Sequence, residues 1–298
     1  MRRGWLVRAL YVYFSWHALG AEGAVTRTAA ARIRSVVVEV GNLPIRLWCG
    51  SPNFARLIED RYSGFLSSSG DAVGEFEIEL APPVIKFGHE DVRVTWDSGQ
   101  WLIERADFQA RWNPSTARGS IQQAPSIYSL DSVLRIVHTL LLARKGGFLL
   151  HASSAIRNGR AFLFSGASGA GKTTIVRLAP PDASLLADDI SYLVRGGDAY
   201  YAFGTPFYYE LPRPGENLRA PINAVYVLAK GSRNKIEPIR GTAAVRGLLK
   251  NVLFFARDPE LVKLVFNSAC DFVNRVPVHQ LTFVPDTSVW ELILSECG

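Results

Sequence analysis

Eight residues near the middle of the chain constrain it more than any others. Gly166-Ala167-Ser168-Gly169-Ala170-Gly171-Lys172-Thr173 satisfies the pattern G-x-x-x-x-G-K-[ST] in full. Glycines and small residues let successive backbone N–H groups turn inward and surround the oxygens of an anion. Lys172 adds a point charge suited to the β- and γ-phosphates of a nucleotide, and the Thr173 hydroxyl can ligate Mg²⁺. The pattern works only between a strand and a helix. Here an apolar run, Ala161 to Ser165, precedes it and a helical stretch, Thr174 to Leu178, follows. A helix that begins near Lys172 aims its positive end at the same anion. Gly166 through Thr174 therefore reads as a nucleotide site, and the chain around it as an α/β fold.

The flanks carry the next constraints. Pro180-Pro181 ends the short helix. An apolar strand, Ala183 to Ala187, then leads directly to Asp188-Asp189, where a nucleotide-hydrolysing enzyme places its metal-binding acid. Neighbouring side chains on a strand point to opposite faces, so the two carboxylates divide the work. One holds Mg²⁺ while the other faces an acceptor hydroxyl as a base. Upstream, Phe148 to Arg157 and Ala161 to Ser165 flank Asn158-Gly159, the strongest short hairpin signal. A hairpin, rather than a helix and a parallel strand, thus feeds the loop. Neither N-K-x-D nor L-S-G-G-Q occurs, which sets the chain apart from guanine-reading GTPases and transporter ATPases.

The series His151-Ala152-Ser153, Asn158-Gly159, Gly166 to Thr173 and Leu186-Ala187-Asp188-Asp189 resembles the HPr kinase/phosphorylase family. The catalytic domain of that family is a relative of phosphoenolpyruvate carboxykinase. The resemblance spans about Leu130 to Pro285, and includes Gly204-Thr205-Pro206-Phe207 and Pro277-Val278-His279-Gln280-Leu281. It implies a site histidine at His151, the phosphate-binding lysine at Lys172 and metal ligands at Thr173 and Asp189. It also implies that Asp188 is the acid/base on a serine hydroxyl, and that ATP and Mg²⁺ are used. Relatives of this kind include serine kinases that modify peptides, such as lasso peptide kinases, and kinases of small molecules. Two features depart from authentic HPr kinase: Thr173-Thr174 stands where that enzyme has serine and then glutamate, and its glycine-rich second signature is absent. The resemblance therefore implies the kinase chemistry, not HPr as acceptor nor the reverse, phosphorolytic reaction.

The remaining sequence organises around this core. The chain divides into an N-terminal extension (1–30), a β-rich α+β domain (31–125) and an HPr kinase-like nucleotide-binding domain with a mixed sheet (126–298). In the β-rich part, Ile33 to Cys49 is broken by the turn Gly41-Asn42-Leu43-Pro44, and Ser51-Pro52 opens a helix through Phe65. Phe76 to Leu80 alternates as a half-buried strand, and Val92 to Trp96 with Trp101 to Glu104 form a hairpin. Asn113 to Pro125 reads as a polar loop at the boundary. Beyond it, Ser129 to Lys145 has helical apolar spacing and stops at Gly146-Gly147. Ile190 to Val194 pairs with Ala199 to Phe203, Ile222 to Leu228 is a strand, and helices open at Thr242 and Asp258-Pro259, ending at Phe255 and Phe272. The proline-rich stretch Thr205 to Pro221, with Phe207, Tyr208, Tyr209, Arg213 and Arg219, is long enough for a lid or an acceptor-binding loop. His279 on an apolar strand reads as core, and His89-Glu90-Asp91 as a solvated turn rather than a metal site.

Composition narrows the classes. Hydrophobic residues make up 48% and charged residues 20% of 298, which excludes a disordered chain or a coiled coil. No run approaches the roughly 18 to 20 apolar residues of a spanning helix, so stable membrane insertion is not expected. Met1-Arg2-Arg3 and the apolar Trp5 to Leu19 outline a signal peptide, but Arg8 interrupts the run and the chemistry needs ATP. Cys49, Cys270 and Cys297 are too scattered for a disulfide framework or zinc site and read as reduced thiols of a cytoplasmic protein. Lys plus Arg is 33 against 27 for Asp plus Glu, an excess that suits an anionic ligand. The basic residues form no tract or aromatic-basic alternation, so no nucleic acid partner is expected.

The expected partner is a peptide or small protein with an acceptor serine, recognised by the β-rich part, which could also supply contacts in a homo-oligomer. Two other readings stay open. One is a nucleotide-gated peptide-binding module with little transfer. The other is a kinase of a small alcohol such as free serine, for which a closed pocket lined by Arg213 or Arg219 would argue.

Overall fold

The computed structural model describes residues 34–68, 70–82 and 92–296. The 1–30 extension, His89-Glu90-Asp91 and Cys297 lie outside the described residues. The chain forms two mixed sheets with helices packed on and between them.

The first sheet contains β1 (Arg34–Val40), β2 (Leu43–Cys49), β3 (Gly74–Leu80), β4 (Arg93–Asp97), β5 (Gln100–Arg105), β6 (Phe108–Asn113) and β7 (Arg118–Gln123), in the order β1-β2-β3-β7-β6-β5-β4. Gly41 and Asn42 both have positive φ, at 62° and 61°, which suits the tight turn joining β1 to β2. The pairs β2–β3 and β3–β7 are parallel and the rest antiparallel. One crossover that permits this is α1 (Pro52–Arg61), where Ser51 Oγ accepts from Phe54 N at 3.3 Å and Pro52 takes the first helical position.

The structure corrects the reading of Asn113 to Pro125 as a boundary loop. β7 lies at the centre of the sheet, paired with both β3 and β6. Its inward positions are Ile121 and Gln123, while Arg118, Ser120 and Gln122 face out. A strand whose one inward end is a glutamine has no apolar alternation to reveal it. Gln123, nearly sealed off, satisfies its amide by donating to Ala124 O and Ser126 O at 3.1 and 3.0 Å.

α2 (Ile127–Ala143) follows and buries Leu130, Val133, Leu134, Val137 and Leu140 in one core with the inner face of the first sheet. Gly146, at φ 70°, lets the chain turn back toward the second sheet.

That sheet contains β8 (Phe148–Arg157), β9 (Arg160–Ser165), β10 (Ser184–Ala187), β11 (Ile190–Gly196), β12 (Ala199–Phe203), β13 (Arg219–Lys230), β14 (Lys235–Ile239), β15 (Val252–Leu253) and β16 (Val278–Phe283). It is crossed by α3 (Lys172–Arg177), α4 (Gly241–Leu249), α5 (Pro259–Arg275) and α6 (Ser288–Ser295). Two long strands serve two neighbourhoods each. The first half of β8 pairs with β11 and its second half with β9; β13 pairs first with β12 and then, parallel, with β9. The β8–β9 turn has Asn158 and Gly159 at φ 51° and 71°, as an Asn-Gly turn requires.

The helix from Thr242 ends at Leu249 rather than at Phe255. The chain beyond it is drawn onto β8 as β15, and Asn251 O accepts from His151 N at 2.7 Å. Backbone pairing here outweighs the helical pattern. α5 begins as expected, with Asp258 Oδ1 accepting from Leu261 N at 2.8 Å.

Candidate functional site

The glycine-rich loop connects β9 to α3. Gly169 and Gly171 take φ of 74° and 102°, a region that L side chains rarely enter, and Gly171 is the N-cap of α3. A Cβ on Gly171 would also lie 2.7 Å from Phe283 Cζ, and one on Gly166 2.9 Å from Ala170 Cβ. Three side-chain bonds hold the loop and helix from beneath. Ser153 Oγ donates to Lys172 O at 2.8 Å, Ser165 Oγ to His151 O at 3.1 Å, and Trp290 Nε1 to Ile175 O at 2.8 Å. The order His151-Ala152-Ser153 thus has a structural purpose, since the β8 serine fixes the start of α3.

Lys172 Nζ donates to Gly166 O at 3.2 Å and Ala167 O at 3.3 Å, so the ammonium folds over the loop. Burial draws its pKa below the ordinary lysine value, with Asp189 and Glu210 offsetting part of that. Thr173 is buried beside it at the first turn of α3. Ala167, Ser168 and Gly169 form the exposed lip of the loop, and Thr174 lies one residue further along the helix.

Asp188 and Asp189 stand in the bend between β10 and β11, past the strand on which they were expected, and have different surroundings. Asp189 Oδ1 lies 2.8 Å from His151 Nε2, and about a quarter of its side chain is exposed. Burial alone would raise its pKa. The bond and charge of His151, with the charges of Arg135 and Lys172, outweigh that and hold the carboxyl below its usual range.

Asp188 is 2% exposed. Its Oδ2 accepts three consecutive backbone N–H bonds, from Tyr209 and Glu210 at 2.9 Å and Leu211 at 3.0 Å. Its Oδ1 is sealed from solvent without a partner among the described residues. Burial raises the pKa of this carboxyl despite the three bonds.

The segment after β12 is stitched down rather than hanging free. Thr205 N and Glu216 N donate to Leu186 O and Leu185 O at 3.0 and 2.7 Å, and Gly215 N to Thr205 O at 3.0 Å. A side chain on Gly215 would overlap the Leu186 carbonyl, so the approach needs glycine. Phe207 is buried, Tyr208 packs under Arg61, and Tyr209 stays 55% exposed. Arg213 lines a groove of about 260 Å³ behind α3 with Arg177 and Leu211. Arg219 lies over the Tyr201 ring at 5.8 Å.

Sequence reasoning missed a neighbouring cluster. Asp131 on α2 is 1% exposed and accepts from Tyr62 Oη at 2.6 Å and from both Nε and Nη2 of Arg61. Arg61 also donates to Tyr208 O at 3.3 Å and lies 3.7 Å over the Tyr208 ring. Asp131 and Arg135 are one turn apart on α2, the sole pattern in the sequence that hints at the cluster. Their partners are far away in the chain.

His279 stacks on Tyr226, ring centroids 5.6 Å apart, on the far side of β13 from this chemistry. A broader open groove, about 690 Å³, lies on the outer face of the first sheet against Trp48, Glu77 and Gln109. None of the shifted titratable groups named above lines it.

Comparison with known proteins gives a family match and distant structural likenesses. The family model described as SynChlorMet cassette protein ScmC matches residues 119–294, more than half of the chain. The structure of the Hpr(Ser) kinase/phosphatase from Coxiella burnetii overlaps 50% of this chain and 94% of its own, at 11% identity and a TM-score of 0.30. No curated protein matches the chain.

Proposed function

The chain belongs to the family described as SynChlorMet cassette protein ScmC, and within it we propose an ATP- and Mg²⁺-dependent kinase that transfers the γ-phosphoryl group to a hydroxyl. The acceptor class is a serine of a peptide or small protein. The observation that carries this reading is the meeting of Lys172 and the His151–Asp189 pair beside the glycine-rich loop.

The residues fit the groups they would hold. Positive φ at Gly169 and Gly171, and the crowding a Cβ would cause at Gly166, are what a close backbone cradle for phosphate needs. Among the described residues, no group of three or more His, Cys, Asp and Glu side chains could hold a metal alone. Nucleotide-bound Mg²⁺ asks for less, one or two protein oxygens beside phosphates and water. The Thr173 hydroxyl, buried in the first turn of α3, is such a donor; the family resemblance adds the Asp189 carboxylate, whose one oxygen outside the His151 bond is here given to the acceptor proton instead. Magnesium, when bound, would neutralise charge on the phosphates.

In the transfer itself, the acceptor oxygen bonds to the γ-phosphorus as the bond from that phosphorus to the β–γ bridging oxygen breaks. ADP departs with the electron pair, and the acceptor proton passes to a carboxylate. Access favours Asp189 for that duty over Asp188, the base that the family resemblance implies. Asp188 is sealed and holds the loop at 209–211, whereas Asp189 keeps an oxygen outside its His151 bond. His151 would orient Asp189 and keep it ionised. Lys172 and the loop amides would hold the β- and γ-phosphates. The cytoplasm, where ATP is abundant, suits this chemistry. Among the described residues no helix is long and apolar enough to cross a membrane.

The test is γ-labelled ATP with Mg²⁺ and a panel of serine-bearing peptides, small proteins and free serine. Wild type should label an acceptor, and Asp189→Asn and Lys172→Met should not. Tight nucleotide binding with no transfer to any acceptor would overturn the kinase reading in favour of a nucleotide-gated module. Label on free serine alone would replace the peptide by a small alcohol.

A further inference from the structure

α2 carries Asp131, Arg135 and His138 on one face, at spacings of four and three residues. The surroundings of these groups leave an imbalance. His138 is fully buried, its pKa pulled down to about 3, so it is neutral, and among the described residues its hydrogen-bond partner is Tyr192 Oη at 3.1 Å. Asp131 is the one carboxylate in the cluster. Its oxygens are occupied by Arg61 and Tyr62, at close hydrogen-bonding distances.

Arg135 is the second guanidinium beside that single carboxylate. Its Nη2 stands 3.8 Å from Asp131 Oδ2, within ion-pair range and too far for a hydrogen bond. Its Nε is sealed from solvent with no partner among the described residues. The guanidinium lies over the Phe207 ring at 5.2 Å, and its side chain is 18% exposed. Phe207 begins the segment whose next residues bond Asp188, so Arg135 is packed against the outer wall of the candidate site. Its charge also reaches Asp189.

Asp131 therefore serves two guanidiniums and a phenol, and Asp189 is already bonded to His151, which leaves the planar N–H donors of Arg135 without a hydrogen-bond acceptor among the described residues. Such a fork is complementary to a phosphoryl group, whose oxygens accept paired hydrogen bonds. Phe207 on one side and Asp131 on the other limit the motion of the side chain before any ligand arrives. Lys172 approaches from the loop, and Arg135 from α2.

We propose that Arg135 binds the terminal phosphoryl group of the nucleotide, opposite Lys172, and so makes the site prefer a triphosphate to a diphosphate. This rests on the nucleotide reading of the glycine-rich loop and adds to it a contact made only by the γ-phosphate.

The experiment is equilibrium binding of Mg²⁺-ADP and of the non-hydrolysable β,γ-imido analogue of ATP to the full chain, as wild type, Arg135→Gln and Arg135→Lys. Wild type should prefer the triphosphate analogue. Arg135→Gln should weaken the analogue ten- to a hundredfold, the worth of a charge-assisted contact, and leave ADP within about twofold. Arg135→Lys should recover only part of the preference, since it keeps the charge and loses the fork. A merely structural arginine would weaken both nucleotides together, and that result, or an unchanged preference in Arg135→Gln, would overturn the assignment while leaving the nucleotide site intact. Wild type that binds neither nucleotide would overturn the reading of the loop and this contact with it.

Discussion

Replacing Asp188 separates a loop anchor from a catalytic base. Its Oδ2 is the acceptor for three backbone N–H groups, of Tyr209, Glu210 and Leu211. Asp188→Ala leaves three part-buried donors without a partner, at a net of about 1 kcal/mol each, or about 3 kcal/mol together. In a chain of this size that corresponds to a fall in Tm of about 5–10 °C. Asp188→Asn keeps an oxygen acceptor and removes a charge that burial already opposes, since this carboxyl titrates above its ordinary value. Its NH₂ takes the sealed position of Oδ1, so Asp188→Asn should cost about 1–2 kcal/mol, less than Asp188→Ala. Thermal and urea unfolding measure both variants, and limited proteolysis should show faster cutting near Tyr209 in Asp188→Ala alone. Label transfer is the second arm, in which Asp188→Asn should retain most of its activity. An Asp188→Ala protein as stable and as protease-resistant as wild type would refute the anchoring argument. An Asp188→Asn protein that is stable but transfers nothing would return the role of base to Asp188, through its sealed Oδ1.

Three further outcomes follow from the same geometry. Asp189→Asn should lower transfer by at least about a hundredfold, the usual scale for a general base, with Tm and ADP affinity little changed. His151→Ala should shift the pH profile. Asp189 must be ionised to act, its pKa is held below the ordinary carboxylate value chiefly against burial by the His151 bond, and activity is lost as pH falls through that pKa. Without His151 the acidic limb of the rate–pH curve should move upward; a limb that stays in place would show that the bond does not tune Asp189. Gly215→Ala puts a methyl group against the Leu186 carbonyl, so it should free the 205–216 segment. Measured by proteolysis and by transfer, it should raise cutting and lower turnover, while a neutral result would mean that the close approach is dispensable.

Much of the local architecture is encoded in short stretches of sequence. The Asn158-Gly159 hairpin, the glycine-rich loop with its following helix, the Ser51 and Asp258 caps and the strand ending at Asp188-Asp189 are all set by residues within a few positions of one another. The sequence expects the two acids to differ, one on the metal and one as base, but Asp188 instead anchors the backbone at 209–211. What local pattern could not reveal was which acid faces where, because that depends on His151, thirty-eight positions from Asp189, and on the backbone at 209–211. The same holds for β7, whose polar face hides a central strand, and for β15, where pairing with β8 ends a helix that the local pattern would continue. The Arg61–Tyr62–Asp131 network joins residues sixty-nine and seventy positions apart, and leaves Arg135 without a hydrogen-bond acceptor among the described residues. A donor is left over only when its neighbours are counted, and those neighbours are chosen by the packing of α1 and α2 in a shared core. Local sequence sets turns, caps and loop conformations because their energies lie within a few bonds. Burial, desolvation and the sharing of a carboxylate are properties of the assembled interior, and only the tertiary structure decides them.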